Sequence, residues 1–172
     1  LPGRGLSPEE ITALLRPEDG METNRRLAGL LAELGYVVAF VRPGRDLSPA
    51  AGDDEVAANM LPVVQAIAEA GLAVGLYSIP DVSGVAMKTD AAARLVAAPG
   101  GERIVAIKIT EANYEASTLR FLADARLRYA FVTDQRLFVG GLLALATQRR
   151  RVFVHDVGVV INPAAEPDHR ED

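Results

Sequence analysis

The sequence has no cysteine, and only two of its 172 residues are histidine. Without cysteine the chain has no disulfide, no thiol nucleophile and no zinc–thiolate centre, and two histidines are too few for a histidine-rich metal site. We therefore expect no metal and no cofactor. The His155-Asp156 pair resembles an acid–base dyad, but adjacent strand residues point to opposite faces, so a plain strand-end position is favoured.

Long apolar runs are also missing, as is a charged start followed by an apolar segment. These absences argue against a membrane span and a secretory signal, so we expect the protein to be located in the cytoplasm. A net charge of −5 argues against nucleic acid or an anionic membrane as partner, and the cluster of three arginines at 149–151 is too short to change this. With 49% hydrophobic and 24% charged residues, we expect one globular domain over residues 1–172 with a flexible polar tail at 163–172.

What the sequence does contain is a repeated unit of amphipathic helix, glycine and apolar strand. In the first unit four leucines share one helix face and Gly35 follows them, before an apolar strand at 36–41. The leucines are Leu27, Leu30, Leu31 and Leu34. Four further helix–strand pairs are predicted: helix 60–67 with strand 72–77, helix 90–97 with strand 103–110, helix 115–125 with strand 129–133, and helix 136–146 with a last strand. The last strand covers 152–154 and either ends there or continues to 160.

The helix boundaries are less regular. Pro62 requires that its helix either start near it or kink there, and Thr89 is the predicted N-cap of the third helix. At the front, a capping box at 7–10 predicts a short helix through Leu15, followed by a loop at 17–20.

Strands that alternate with helices about every 30 residues predict βαβ units and parallel strands. The fold class is therefore α/β: a parallel (β/α) barrel or partial barrel, with an open doubly wound sheet as the alternative. No P-loop occurs, and Gly3-Arg4-Gly5 follows no strand, so neither nucleotide-binding signature is present.

Lysine is scarce, with two residues against 16 arginines, and Lys108 lies inside an otherwise apolar predicted strand. An amine held away from water and neutral can attack a carbonyl and form a Schiff base. The alternative is a strand-end lysine whose stem reaches solvent. Tyr77 ends the preceding strand, and we expect both side chains at the carboxyl edge of the sheet, above small residues that leave room for a ligand. A phenol beside an amine suits proton relay; alternatively, Tyr77 is a core aromatic.

Residues 76–85, the helix with Ala93-Arg94-Leu95 and the strand ending at Lys108 resemble the dihydrodipicolinate synthase / N-acetylneuraminate lyase family of class I aldolases. The resemblance implies a TIM barrel without cofactor, in which Lys108 forms an imine with pyruvate and Tyr77 relays protons. It also implies strands four to eight of the barrel, with Thr133-Asp134 at the end of the seventh. Thr110 and Thr133 are predicted to bind substrate.

Departures from the family refine the prediction. Val82 stands where the synthases place a carboxylate-binding arginine, so the lyase side is favoured and Val82 is assigned to the substrate site. The second relay tyrosine and the carboxylate-binding loop have no counterpart, and neither do a helix and the third strand between Leu15 and Glu22. A complete barrel needs about 250 residues, so the chain resembles a family member shortened on its N-terminal side, with open strand edges.

Three functions compete. The first is a Schiff-base carbon–carbon or carbon–oxygen lyase that acts on pyruvate or another 2-oxo acid. The second is a non-catalytic structural or interaction module of the same descent, and for both we expect a homo-oligomer. The third, ranked last, is a phosphate-binding sheet protein whose only glycine-rich candidate is Gly100-Gly101.

Overall fold

The computed structural model describes residues 13–127, 131–134, 151–155 and 158–162. Within these residues the strands are β1 (Ala13–Leu15), β2 (Val38–Val41), β3 (Ala73–Ser78), β4 (Ile104–Ile109), β5 (Phe131–Asp134), β6 (Arg151–His155) and β7 (Gly158–Asn162). The α-helices are α1 (Met21–Glu33), α2 (Asp53–Glu69), α3 (Pro80–Ser83), α4 (Thr89–Ala97) and α5 (Tyr114–Ala123). Short 3-10 turns lie at Pro17–Asp19, Gly101–Arg103 and Ala125–Leu127.

The strands form one sheet in the order β1-β2-β3-β4-β5-β7-β6. Strands β1 to β5 are parallel neighbours, and helices connect each of β1 to β4 to the next, so the predicted α/β class and partial (β/α) barrel are confirmed. Strand β7 pairs antiparallel with both β5 and β6. A strand at 152–154 is present as part of β6, but the alternative in which it continues to 160 is wrong: β6 ends at His155, and β7 returns beside it.

One face of the sheet packs beneath the helices and forms the core. Leu15, Val41, Leu76 and Ile107 are successive register partners across β1 to β4, and each is at most 1% exposed. The predicted stripe of α2 belongs to the same core cluster and contributes four buried apolar side chains, which are Met60, Val63, Val64 and Ile67. Burial of such a row removes apolar surface from water, which is the main force that holds the layers together.

The other face carries the alternate residues of the same strands and is called the open face below. Leu14, Phe40, Gly75 and Ala106 are its register partners, and Leu14 is 43% exposed. The ring of Phe40 packs directly over Gly75, since a Cβ built on Gly75 would lie 2.4 Å from the ring. The expectation that this small residue leaves room for a ligand is therefore wrong at Gly75.

Most helix predictions are confirmed in position. Helix α1 ends before Gly35, which has a φ of 83° as expected for the residue after a helix, and Gly71 plays the same part after α2 with the same φ. Pro62 lies inside α2, so the helix does not begin near it. The cap prediction for Thr89 is wrong by one residue: Thr89 is the first helical residue and Lys88 is the N-cap.

The front of the chain differs from prediction. A helix through Leu15 is wrong for residues 13–15, because they form β1 and pair in parallel with β2. A strand thus occupies the place beside β2 where the third barrel strand was predicted to be missing. The start of that predicted helix, the predicted helix at 136–146 and the tail at 163–172 lie outside the described residues.

Candidate functional site

The candidate site lies at the carboxyl ends of β3 and β4. Tyr77 and Lys108 are direct register partners on these neighbouring parallel strands, so their side chains leave the sheet on the same face. The Nζ atom of Lys108 lies over the ring of Tyr77, 4.6 Å from its centroid. This distance is within the range of a cation–π contact, which contributes about 0.5–1 kcal/mol at partly exposed sites.

Lys108 is half-buried, as is Tyr77. The expectation of a strand enclosed on both faces is therefore wrong for this residue, because the helices cover the Ile107 side of β4 whereas the Lys108 side belongs to the open face. Lys108 therefore remains in contact with solvent.

Thr110 extends the site by one hydroxyl group. Its Oγ1 lies 3.2 Å from the hydroxyl of Tyr77, and either oxygen can be the donor. The backbone N–H of Thr110 donates to the carbonyl of Ser78 at 2.8 Å, which continues the strand pairing past the end of β4. The structure thus brings together three of the five predicted site residues in the order amine, phenol and hydroxyl.

The other two predicted residues flank this cluster. Thr133 on β5 is the direct register partner of Lys108. Val82 lies in α3 after β3, and its side chain is 37% exposed. Its carbonyl accepts a hydrogen bond from Nε of Arg45 at 3.2 Å, so a guanidinium from the loop after β2 lies against α3.

A second group of polar residues lies behind the cluster. Ser78 is fully buried; its Oγ donates to Oε1 of Glu111 at 2.5 Å and accepts the backbone N–H of Met87 at 2.9 Å. Ser117 of α5 donates to the second carboxylate oxygen of Glu111 at 2.7 Å. Sequence reasoning missed Glu111 and Ser117, although the place of Glu111 just after β4, at the edge where parallel strands present functional groups, was a usable signal.

An ion pair between a buried arginine and a partly exposed glutamate secures the same edge of the sheet beside β1 and β2. Arg42 is 1% exposed and pairs with Glu18, and its Nη1 donates to the carbonyl of Pro43 at 2.6 Å. Partial burial raises the pKa of Glu18, but the hydrogen bonds and charge of Arg42 outweigh it and hold that pKa below its ordinary value. Asn24 is fully buried and donates to the carbonyls of Arg16 and Gly20, so the loop after β1 is held from both sides.

Within the described part of the chain, no cluster of three or more histidine, aspartate or glutamate side chains is placed to hold a metal ion. In the same residues, none of the helices is both long and apolar enough to cross a bilayer. Gly100-Gly101, the glycine-rich candidate for a phosphate site, leads into strand β4. A Cβ on Gly101 would lie 2.2 Å from the carbonyl oxygen of Leu95, so the backbone is tightly packed there.

The chemistry open to this arrangement follows from its groups. An amine and a phenol on one face supply a nucleophile for a carbonyl carbon and a proton carrier next to it. Thr110 gives the phenol a hydrogen-bond partner, through which its hydroxyl is oriented. Lys108, Tyr77 and Thr110 include neither a carboxylate nor a thiol, so carbonyl chemistry at the amine is the reaction class that fits them best.

Comparison with known proteins agrees with the architecture. No protein-family model and no curated protein sequence matches the chain. Among solved structures, the chain is similar to a dihydrodipicolinate synthase from Agrobacterium tumefaciens, with a TM-score of 0.65 and 21% identity over 81% of this chain and 47% of that one. A dihydrodipicolinate synthase from Thermotoga maritima is similar with a TM-score of 0.56 and 20% identity, over 77% of this chain and 42% of that one.

A third similar structure is the 4-hydroxy-tetrahydrodipicolinate synthase from Methylacidiphilum fumariolicum SolV, with a TM-score of 0.54 and 17% identity over 77% of this chain and 41% of that one. The chain thus spans less than half the length of these three proteins. At such identities the similarity is one of fold, and it agrees with the resemblance found in the residues. The parallel strands and helices described above therefore have the fold of dihydrodipicolinate synthase structures, over a part of their (β/α) barrel.

Proposed function

We propose that this protein is a Schiff-base-forming lyase or aldolase that acts on pyruvate or another 2-oxo acid. The observation that carries the proposal is the Lys108 amine, which lies over the Tyr77 ring at the carboxyl ends of two adjacent parallel strands. This edge is where enzymes with parallel (β/α) architecture place their catalytic groups. The similarity in fold to synthases of the aldolase type supports the same lineage.

In the proposed reaction Lys108 first gives a proton to solvent; its amine then attacks C2 of the 2-oxo acid, and the carbonyl oxygen becomes an alkoxide that takes a proton. Tyr77 donates that proton and then, as a tyrosinate, takes one from the ammonium nitrogen, which restores the nitrogen lone pair. Tyr77 passes this second proton to the hydroxyl group, so that water leaves. The nitrogen lone pair then forms the iminium bond. The iminium accepts the electron pair released when a bond to C3 breaks, or stabilises the carbanion that attacks an aldehyde. Thr110 orients the Tyr77 hydroxyl in each transfer.

The proposed substrate pocket adds Thr133 and Val82 around this centre. Thr133 is the register partner of Lys108 on β5. Val82 has an apolar, partly exposed side chain at the position where, by the resemblance, the synthases place a carboxylate-binding arginine. On these residue grounds we assign the chain to the N-acetylneuraminate lyase side of the resemblance. We propose that Arg45, whose Nε donates to the Val82 carbonyl, supplies the guanidinium that attracts the carboxylate of the 2-oxo acid. The cytoplasm remains the predicted location.

The test is reductive trapping. The protein is incubated with pyruvate and borohydride, digested and weighed. We expect one reduced pyruvate on Lys108 and none on Lys88, which is the only other lysine in the chain and so serves as an internal control. Tyr77→Phe should retain the adduct but form it more slowly, by roughly 100- to 10,000-fold if the phenol is the proton carrier. Absence of an adduct on Lys108 in the unaltered protein would refute the proposal.

One observation favours a second candidate, a non-catalytic module. The open face leaves Leu14 on the edge strand β1 43% exposed. Because the chain spans less than half of the barrels that it resembles, we propose that a second copy of the chain covers this face. Sedimentation of the full chain should then show a dimer or larger oligomer. A monomer that converts a 2-oxo acid would exclude this candidate.

A further inference from the structure

Glu111 occupies a junction of three elements. Its carboxylate accepts hydrogen bonds from Ser78 at the end of β3 and from Ser117 in α5, and through Ser78 it is connected to the backbone of Met87, which precedes α4. A carboxylate that accepts two hydroxyl groups forms charge-assisted bonds, which are shorter and stronger than those between neutral groups. The bonds to Ser78 and Ser117 are 2.5 and 2.7 Å long.

This junction lies directly behind the candidate site. Ser78 and Ile109 are register partners, and because side chains alternate along a strand they lie on the side opposite to Tyr77 and Lys108. Each end of the junction is next in sequence to a site residue: Ser78 follows Tyr77, and Glu111 follows Thr110. Two hydrogen bonds therefore cross from β3 to β4 one after the other, Tyr77 to Thr110 in front and Ser78 to Glu111 behind.

We propose that Glu111 is a positioning residue that holds Tyr77 and Thr110 in place against Lys108, and this role rests on the function proposed above. Glu111 does not reach the substrate in this proposal. It acts by keeping the ends of β3 and β4 at a constant separation, and that separation sets how far the Tyr77 ring and hydroxyl lie from the amine. Ser117 supplies the second anchor, because α5 is packed against the sheet and Thr118 beside it is fully buried.

The first measurement does not depend on activity. Both lysines are reductively methylated with ¹³C-formaldehyde, which yields two side-chain signals that replacement of Lys88 by arginine assigns. The Lys108 methyl signal should be shifted by the ring current of Tyr77, since its nitrogen lies 4.6 Å from the ring centroid. In Glu111→Gln this shift should shrink by half or more. In Glu69→Gln, a matched change at an exposed glutamate of α2, it should stay as in the unaltered protein.

The second measurement follows the rate of reductive trapping with pyruvate. A displacement of reacting groups by about 1 Å reduces rates by up to about 100-fold, so Glu111→Gln should lower the rate at saturating pyruvate on the order of tenfold. The half-saturating concentration should stay unchanged. Glu111→Asp, which keeps the charge, should recover part of the rate. Loss of stability alone would move the unfolding midpoint without moving the ring-current shift or the saturating rate under native conditions.

The outcomes separate the two proposals. If the unaltered protein forms no adduct but Glu111→Gln loses the ring-current shift, the proposed function fails and the positioning role of Glu111 stands. An unchanged shift together with an unchanged trapping rate would overturn the positioning role. If Glu111→Gln does not fold, Ser117→Ala removes one of the two bonds and should reduce the shift in the same direction; an unchanged shift in a folded Ser117→Ala protein would count against the proposal.

Discussion

Gly75 gives the sharpest test of how the open face is packed. A Cβ at this position would lie 2.4 Å from two ring carbons of Phe40 and 2.6 Å from a third, closer than carbon atoms approach without strain. The ring comes from the neighbouring strand, where Phe40 is the register partner of Gly75. Gly75→Ala must therefore push the ring away or separate the strands, and overpacking of this kind costs about 1–3 kcal/mol.

For a chain of this size each kcal/mol lowers the melting temperature by roughly 2–4 °C, so Gly75→Ala should melt roughly 2–12 °C lower. Gly29→Ala is the matched control, because a Cβ there would meet nothing within 4 Å and the residue lies inside α1. Alanine favours a helix interior over glycine by roughly 0.5–1 kcal/mol, so the control should be stabilised. Urea unfolding at equilibrium measures both changes.

A double-mutant cycle shows whether Phe40 is the cause. Phe40→Leu should lose packing on its own but remove most of the further cost of Gly75→Ala, since the shorter side chain leaves space for the new methyl group. A Gly75→Ala protein within about 0.5 kcal/mol of the unaltered one would refute the packing argument. So would a cost that is the same with Phe and with Leu at position 40.

The remaining predictions concern the charged groups at the carboxyl edge. Because the pKa of Glu18 is lowered from its ordinary value of 4.5 in the folded protein, its contribution to the free energy of unfolding should be complete above about that pH and be lost as the pH falls through the lower folded value. Glu18→Gln leaves the guanidinium of Arg42 buried without its carboxylate. The free energy of unfolding should fall by about 3 kcal/mol near neutral pH, which is the lower end for a broken buried pair because the Glu18 side chain is 22% exposed. The same change should flatten the acid dependence of the urea midpoint. An unchanged acid dependence would contradict this account. Arg45→Gln should raise the half-saturating pyruvate concentration in the trapping assay several-fold, which corresponds to roughly 1 kcal/mol of lost attraction, and should leave the saturating rate unchanged. Arg103→Gln, at the opposite edge of the sheet, is the control and should change neither quantity.

Much of the architecture follows from local patterns. The leucine stripe of α1, the glycines after α1 and α2 and the short apolar runs of β2 to β5 are all legible in sequence because helix and strand periods differ. The alternation of these elements implies parallel strands whose carboxyl ends share one edge. Tyr77 and Lys108 could be assigned to that edge from their places at the ends of consecutive strands, without any knowledge of the contact between them.

Contacts between distant segments were not predictable in this way. Residues 13–15 belong to a helix by their local signals, yet pairing with β2 makes them a strand. Phe40 fills the space above Gly75 because register places a ring from one strand beside a glycine of the next. Glu18 meets Arg42 across 24 residues, and Glu111 meets Ser78 across 33.

The sequence by itself therefore determined the type of each central element, the α/β class and the edge at which Lys108 lies. Only the tertiary structure decided which side of Lys108 is open, what fills the face beneath it and which carboxylate supports the strands behind it. The reason is physical: element type depends on neighbours within one or two turns, whereas burial and side-chain pairing depend on strand register and helix packing, which no local window of sequence contains.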